Sequence, residues 1–297
     1  MKLFNIINNE DLKKVLRKGP DNYYLTYKVP KRSRGYREIN APQDPLKLIQ
    51  EQLLYNIYYR IKAHDSAVGF IPGKKMKEGA EVHLKSKVLL NIDLKDFFGT
   101  FNYKKVMDVN YFVGARLGQG EGFLDKDDLA PLTELTTFKK KLPQGSPCSP
   151  HITNIGFIKT DKQLLDYSTK HKLKYTRYVD DLSFSSGDYS TDMVPHLEAV
   201  SEIIKANGFT RNPKKTRILR PHNRMSVTGI TVNEKLGVPK WKRRNFRAKI
   251  HNLKKKGTPI ERITYEKLRG YAEWIKSLNP EKGEQFIAEI GSLNLNF

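Results

Sequence analysis

Lys174-Tyr175-Thr176-Arg177-Tyr178-Val179-Asp180-Asp181-Leu182-Ser183-Phe184-Ser185-Ser186 reads as a β-hairpin with two adjacent carboxylates at its turn. Two β-prone runs flank Val179-Asp180-Asp181, and Leu182 and Phe184 alternate with serines, as in a strand with one buried face. Like charges repel, so Asp180 and Asp181 are costly to hold together unless a cation neutralises them. An isolated Asp-Asp pair belongs to an ordinary solvated turn. The rest of the chain sets this one apart.

Upstream, Val88-Leu89-Leu90-Asn91-Ile92-Asp93 reads as a buried strand ending on a third carboxylate. A run this apolar is expected to be covered on both faces. If the fold brings the two strands together, Asp93, Asp180 and Asp181 suit magnesium, which takes oxygen ligands and keeps positions open for water or phosphate. Two such ions about 3.5–4 Å apart can activate an attacking hydroxyl and stabilise a leaving oxygen. Asp96, close by, reads as a surface charge.

Working outward, residues 24–43 read as a basic, loop-rich segment in which Lys31, Arg32, Arg34 and Arg37 cluster. A helix should follow, with Asp44 as N-cap, Pro45 at its first position, and Leu46, Ile49, Leu53, Ile57 and Ile61 on one face. Residues 118–140 show no clear periodicity and read as irregular. The turn-rich run Leu142-Pro143-Gln144-Gly145-Ser146-Pro147-Cys148-Ser149-Pro150 should open a helix capped by Ser149, with Ile152, Ile155, Ile158 and Leu165 on its buried side. Val194 to Ala206 is a further helix, and Asn223 to Val238 a second hairpin turning at Asn233 to Lys235. From Lys240 onward the chain reads as helical and basic. The order predicts an α+β fold, a carboxylate-bearing sheet with helices packed on one face.

The net charge of +22 favours a polyanionic partner, and among 15 Tyr and 14 Phe, most of them expected in the core, some can stack on bases. With Cys148 as the one cysteine, an internal disulfide or a cysteine zinc cluster is excluded, which suits a reducing compartment. The N-terminal segment lacks the apolar stretch of a signal peptide, and no run reaches the length of a membrane span. The expectation is a soluble, cytoplasmic protein with no membrane partner.

Four segments, in order, resemble the reverse transcriptase family: Asp93-Leu94-Lys95-Asp96-Phe97-Phe98, Leu142 to Pro147, Tyr178-Val179-Asp180-Asp181, and Asn212-Pro213-Lys214-Lys215-Thr216. The likeness covers roughly residues 30 to 240. It implies a right-hand polymerase: residues 1–88 mostly fingers, 89–239 palm with a fingers insertion near 105–140, and 240–297 a small, basic, helical thumb. It implies two Mg2+ ions on Asp93, Asp180 and Asp181. Lys31, Arg34 and Arg37 would meet the incoming triphosphate, with Gln144 and Gly145 bordering the nucleotide. Phe98 would exclude a 2′-hydroxyl, one of Phe97 and Phe98 being core, and Lys215 would serve the leaving pyrophosphate.

Two further segments are similar to bacterial retron enzymes: Val227-Thr228-Gly229, and Gly79-Ala80-Glu81-Val82-His83, where Gly79 stands in place of the usual asparagine. This likeness implies a structured noncoding RNA as partner. DNA would start from an internal 2′-hydroxyl of that RNA and copy part of it into a branched RNA–DNA product. A separate effector protein and a role in anti-phage defence are implied as well. Ala80, His83, Val227, Thr228 and Gly229 would contact the RNA, joined by Lys240, Arg243, Arg244 and Arg247 on the basic C-terminal helices. The absence of a second catalytic cluster after Lys240 argues against a fused nuclease or integrase. The rival readings are an abortive-infection or group II intron-like reverse transcriptase, and a non-catalytic RNA-binding scaffold.

Overall fold

The computed structural model describes residues 7, 9–31, 35–118, 124 and 126–295. Helix α1 (Asn9–Lys18) carries acids in its first turn and bases in its last, matching its dipole. The segment read as a basic loop is a two-stranded antiparallel ribbon, β1 (Tyr24–Pro30) against β2 (Tyr36–Pro42). Leu25, Tyr27 and Val29 alternate through β1, a strand pattern masked in the sequence by the surrounding lysines and arginines. Helix α2 (Leu46–Asn56) starts one residue later than expected, with Pro45 rather than Asp44 at the cap. It ends at Asn56, and Ile57 and Ile61 flank a short 3-10 turn, Tyr58–Arg60. All five expected apolar residues are buried nonetheless.

Next come α3 (Met76–Val82), β3 (Val88–Asp93), α4 (Phe97–Thr100) and α5 (Tyr103–Leu117). The stretch expected to be irregular contains a helix, α6 (Lys126–Thr136), with Pro131 inside it. Its buried face uses Leu132 and Leu135 together with threonines. The Thr133 and Thr136 hydroxyls donate to the Leu129 and Leu132 carbonyls, so they bury without losing a partner. A periodicity sought in apolar residues alone misses such a face.

Helices α7 (Ser149–Gly156) and α8 (Ile158–Lys170) lead into the hairpin β4 (Lys174–Tyr178) and β5 (Asp181–Ser186). Cys148 caps α7, so that helix begins one residue earlier than expected. Then follow α9 (Met193–Ala206), β6 (Arg217–Leu219), and the short pair β7 (Ser226–Val227) and β8 (Ile230–Thr231). The tight turn of this pair lies at Thr228-Gly229, not at Asn233 to Lys235. Both turn residues adopt positive φ, +50° and +84°, as a two-residue hairpin requires. Asn233 ties the next bend instead, accepting from the Met225 N–H and donating to the Pro221 and Asn223 carbonyls. Helices α10 (Lys240–Lys256), α11 (Arg262–Leu278) and α12 (Pro280–Gly291) close the chain.

The main sheet has order β4-β5-β3-β6 and is antiparallel throughout. Its register separates a dry face from a polar one. Leu90 lies opposite Phe184 and Ile92 opposite Leu182, and these residues join the first core with α8 and α9 residues. On the other face Asn91 lies opposite Ser183, and Asp93 opposite Asp181. That face is not bare: α3 packs on it, and His83 after α3 is fully buried. A second core joins residues 225–238 to α10, α11 and α12.

His83 bridges two strands, its ring nitrogens hydrogen-bonded to Ser185 Oγ at 2.7 Å and Thr176 Oγ1 at 2.8 Å. Burial pushes its pKa down from 6.5 to about 3, so the folded ring stays neutral. Below the unfolded value of 6.5 the unfolded chain takes up a proton that the folded chain refuses. Stability therefore falls as pH falls across that window, by about 1.4 kcal/mol per unit. In urea unfolding at about pH 7 and about pH 5, the unaltered protein is expected to lose about 2 kcal/mol more than His83→Gln. Equal losses would place the acid sensitivity elsewhere.

Candidate active site

Three aspartates are neighbours where β3 ends and the β4–β5 hairpin turns. Asp93 and Asp181 are direct partners in the ladder, and Asp180 occupies the turn beside them. The backbone closes the corner: the Leu94 N–H donates to the Asp180 carbonyl and the Asn212 N–H to the Asp93 carbonyl. Enclosure by the fold raises the Asp181 pKa to about 7, with the charges of Asp180 and Asp93 adding to it, although one edge of the residue stays open to solvent. Asp180 is raised as well, first by enclosure and then by Asp93, with Lys215 and Arg37 opposing.

Asp93 itself is held from both sides. Asn212 Nδ2 donates to its Oδ1 at 2.9 Å and Lys215 Nζ to its Oδ2 at 2.8 Å. This bond raises the Lys215 pKa. Among the described residues, no three His, Cys, Asp or Glu side chains are already gathered round one point. The donor set still fits a hard divalent cation, which needs only one or two protein carboxylates and completes its shell with water and phosphate. The raised carboxylate pKa values come first from enclosure and second from neighbouring negative charge, and a bound cation would offset both.

The surrounding loops place the other expected residues unequally. Phe97 is core, in an aromatic cluster with Phe101, Phe157 and Phe209, whereas Phe98 stands edge-on to it with part of its ring exposed. Gln144 and Gly145 lie against β2, where the Asn40 N–H donates to the Gln144 carbonyl at 2.7 Å. Gly145 has φ +124°, and a Cβ there would lie 2.9 Å from the Asn40 carbonyl oxygen. Its missing side chain thus makes room for β2. Arg37 on β2 acts electrostatically on Asp180. Lys31 is exposed and donates its N–H to the Gly35 carbonyl. Arg34 lies outside the described residues.

Of the residues expected to touch RNA, Ala80, His83 and Val227 are buried and offer no side-chain contact in this conformation. They are supports: His83 stitches β4 to β5, while Ala80 and Val227 belong to the second core. Thr228 and Gly229 form the tip of the hairpin turn. Lys240, Arg244 and Arg247 are exposed, and Arg243 is half-buried. Gly79 has a packing reason, since a Cβ there would lie 2.7 Å from Val68 Cγ2.

Beneath the carboxylates lies a support that sequence reasoning missed. Arg177 is fully buried on the dry face and pairs with the fully buried Asp161 of α8, Nη2 to Oδ2 at 2.7 Å and Nε to Oδ1 at 2.9 Å. The Tyr175 hydroxyl also donates to Asp161. Arg177 Nη1 then reaches the Val179 carbonyl and Asn154 Oδ1, each at 3.1 Å. Val179 has φ +57°, a conformation that a β-branched residue rarely adopts. Asn154 donates to the Gly69 carbonyl, and the absent Gly69 side chain admits Tyr178 and Val179. The one available signal was an arginine at a core register position, opposite Leu182.

Residues 29–232 match the family model described as Reverse transcriptase (RNA-dependent DNA polymerase). The chain is 34% identical over 296 residues to the retron Mx162 reverse transcriptase of Myxococcus xanthus, covering 91% of this chain and 61% of that protein. It is 30% identical over 281 residues to the retron Ec86 reverse transcriptase of Escherichia coli, covering 93% of this chain and 83% of that protein. A telomerase from Candida albicans, solved in complex with a fragment of telomeric RNA, is similar in fold alone, with a TM-score of 0.52 and 13% identity over 90% of this chain and 54% of that one.

The Arg177–Asp161 pair generates a stability prediction. Arg177→Met should cost about 3–5 kcal/mol, because it leaves the Asp161 carboxylate buried and uncompensated. Adding Asp161→Leu should recover a large part of that loss, as read by denaturant unfolding. A double variant no more stable than the single one would show that the lost bonds to Val179 and Asn154 dominate.

Proposed function

The chain belongs to the reverse transcriptase family, in its retron group, and from that premise we propose that it is an RNA-directed DNA polymerase. It copies part of a structured noncoding RNA into single-stranded DNA that stays joined to the RNA through an internal 2′-hydroxyl. The observation that carries the reading is the register that sets Asp93 opposite Asp181, with Asp180 at the turn. In our reading Asp93, Asp180 and Asp181 hold two Mg2+ ions. When bound, these make the attacking hydroxyl a better nucleophile and neutralise charge on the phosphates.

The chain's own residues do the rest. The attacking hydroxyl loses its proton to solvent as its oxygen bonds to the α-phosphorus of a deoxynucleoside triphosphate, and the bond from that phosphorus to the bridging oxygen of pyrophosphate breaks. Lys215 leaves Asp93 to carry charge or a proton to the departing pyrophosphate. Arg37 faces the triphosphate from β2, and Lys31 and Arg34 flank it. Gln144 and Gly145 border the nucleotide, and the free edge of Phe98 excludes its 2′-hydroxyl. Exposed Lys240, Arg244 and Arg247 grip RNA phosphates, as the net charge of +22 favours. In this reading the ribbon and early helices are fingers, the four-stranded sheet is palm, and the C-terminal helices are thumb. A separate effector protein and anti-phage defence follow from the retron assignment, as does a cytoplasmic location. Among the described residues no helix is long and apolar enough to cross a membrane.

The test is expression with the neighbouring noncoding RNA, followed by treatment of the isolated DNA with debranching enzyme and ribonuclease. The expected product carries an RNA remnant that debranching removes. DNA with a free 5′ end or joined to a protein tyrosine would reject the branched product and leave the polymerase. Asp180→Asn with Asp181→Asn should abolish synthesis while RNA binding persists, since ligation needs the carboxylate charge and binding rests on the basic surface. Undiminished synthesis in this variant would refute the assignment of the site. Phe98→Val should raise ribonucleotide incorporation relative to deoxynucleotide in a primer-extension assay. Unchanged discrimination would move the gate to another residue.

A further inference from the structure

A cleft of about 680 Å³ opens between residues 224–238 and the C-terminal helices, away from the carboxylates. Arg224, Lys235, Lys240, Arg243, Arg244 and Lys282 line it, with Glu234 as the acidic residue among the lining. So dense a set of like charges opposes folding unless an anion relieves it. Helix α10 begins at this cleft, and no side chain caps its N-terminus. Its first N–H groups lack intrahelical acceptors and add positive potential.

Two buried polar atoms of the lining also lack a partner: Arg243 Nε, a donor, and Thr231 Oγ1. Buried polar groups are normally satisfied, so the two mark unmet polarity within the cleft wall, although neither atom is itself open to solvent. Beside them stands Trp241, 52% exposed, with the Lys242 ammonium 5.7 Å from the centre of its ring. Cations and orphan donors suit phosphate, and an open indole suits a base. The volume falls within the range of about 300–1,000 Å³ typical of small-molecule sites, more than phosphate alone needs.

We infer that this cleft takes one unpaired nucleotide of an RNA strand, its phosphate on the cationic wall and its base stacked on Trp241. The inference rests on the reading of the protein as an RNA-binding polymerase and adds a second point of grip outside the catalytic centre. A paired base has its faces covered by its neighbours and cannot reach the indole, so the cleft distinguishes loops from stems.

The test uses the full chain with Trp274→Phe, which leaves Trp241 as the sole indole. Its fluorescence is followed on titration with a short single-stranded RNA, a blunt RNA duplex of matching composition, uridine monophosphate and inorganic phosphate. Binding is read in parallel by anisotropy of labelled RNA. Single strands should quench Trp241 as binding saturates, and the duplex should bind without quenching. Neither small molecule should quench at the same concentrations. In the unaltered background, Trp241→Ala should weaken single-strand binding about 5- to 100-fold, the range of one base–aromatic stack. Trp241 is a surface residue, so its loss tests contact and not folding. Saturated single-strand binding without quenching overturns the inference. So does equal quenching by the duplex, or by uridine monophosphate or phosphate, which would mark a small-anion site. Extension of an added primer is measured on the same preparation. Failure of extension with quenching intact refutes the polymerase and leaves the cleft, and the converse result refutes the cleft alone.

Discussion

The geometry of the carboxylate corner depends on one strained peptide. A two-residue connection between β4 and β5 must turn the chain so that Asp181 lands opposite Asp93. The turn puts Val179 at φ +57°, which costs a β-branched residue on the order of 1–3 kcal/mol. The surroundings must over-determine it, and Arg177 does so from within the core by donating to the Val179 carbonyl. A lysine carries its three N–H donors on one nitrogen and has no fork, so it could not pair in this way with Asp161 and still reach Val179 and Asn154. The buried ion pair is therefore better understood as orientation than as net stability, since two desolvated charges gain little over a well-packed apolar pair.

What could be read from the sequence follows the range of each signal. β3 was legible to its ends, Val88 and Asp93, because a continuous apolar run ending on a carboxylate carries its own boundaries. The hairpin was legible because period-2 alternation and its turn lie within thirteen residues of each other. Pairing across long separations left no such trace. Arg177 meets Asp161 from another element, and His83 finds Ser185 and Thr176 about a hundred residues away. Neither polar residue announces that it is buried. In α6, threonines satisfied by their own helix stood in for apolar residues. Near Val227-Thr228-Gly229 the turn chemistry of Asn233 to Lys235 points to a bend that lies several residues after the tight turn at Thr228-Gly229. Asn233 instead uses its amide to tie the following bend.

Electrostatics divides the molecule in a way that composition conceals. Around Asp93 the carboxylates crowd, and Lys215 and Arg37 offset part of their charge. Lys215 is mostly exposed, so its bond to Asp93 is weakly held and can be exchanged as charge at the site changes. The opposite imbalance prevails at the start of α10, where six cationic side chains line one cleft. The charge that would satisfy the second region is the charge that phosphates carry. The net charge of +22 is a sum over the whole chain and shows neither of these two unlike places.

Strand β3 is one of the elements that join the sheet to the second core, together with α3 and β6. Successive residues of a β-strand point to opposite faces, and in β3 this alternation assigns neighbours to different cores: Leu90 to the first, Leu89 to the second. Asn91, the next residue, accepts from Ser183 Oγ on β5 and donates to the Ser226 carbonyl at the start of the 226–231 hairpin. Two residues further on stands Asp93. A shift of the second core against the sheet would thus press on β3 at Leu89 and pull on it at Asn91. The same strand cannot slip by one residue, because that would exchange its dry and polar faces. The second core is therefore linked to the carboxylate corner through a rigid element, β3, whose residues pack in both cores.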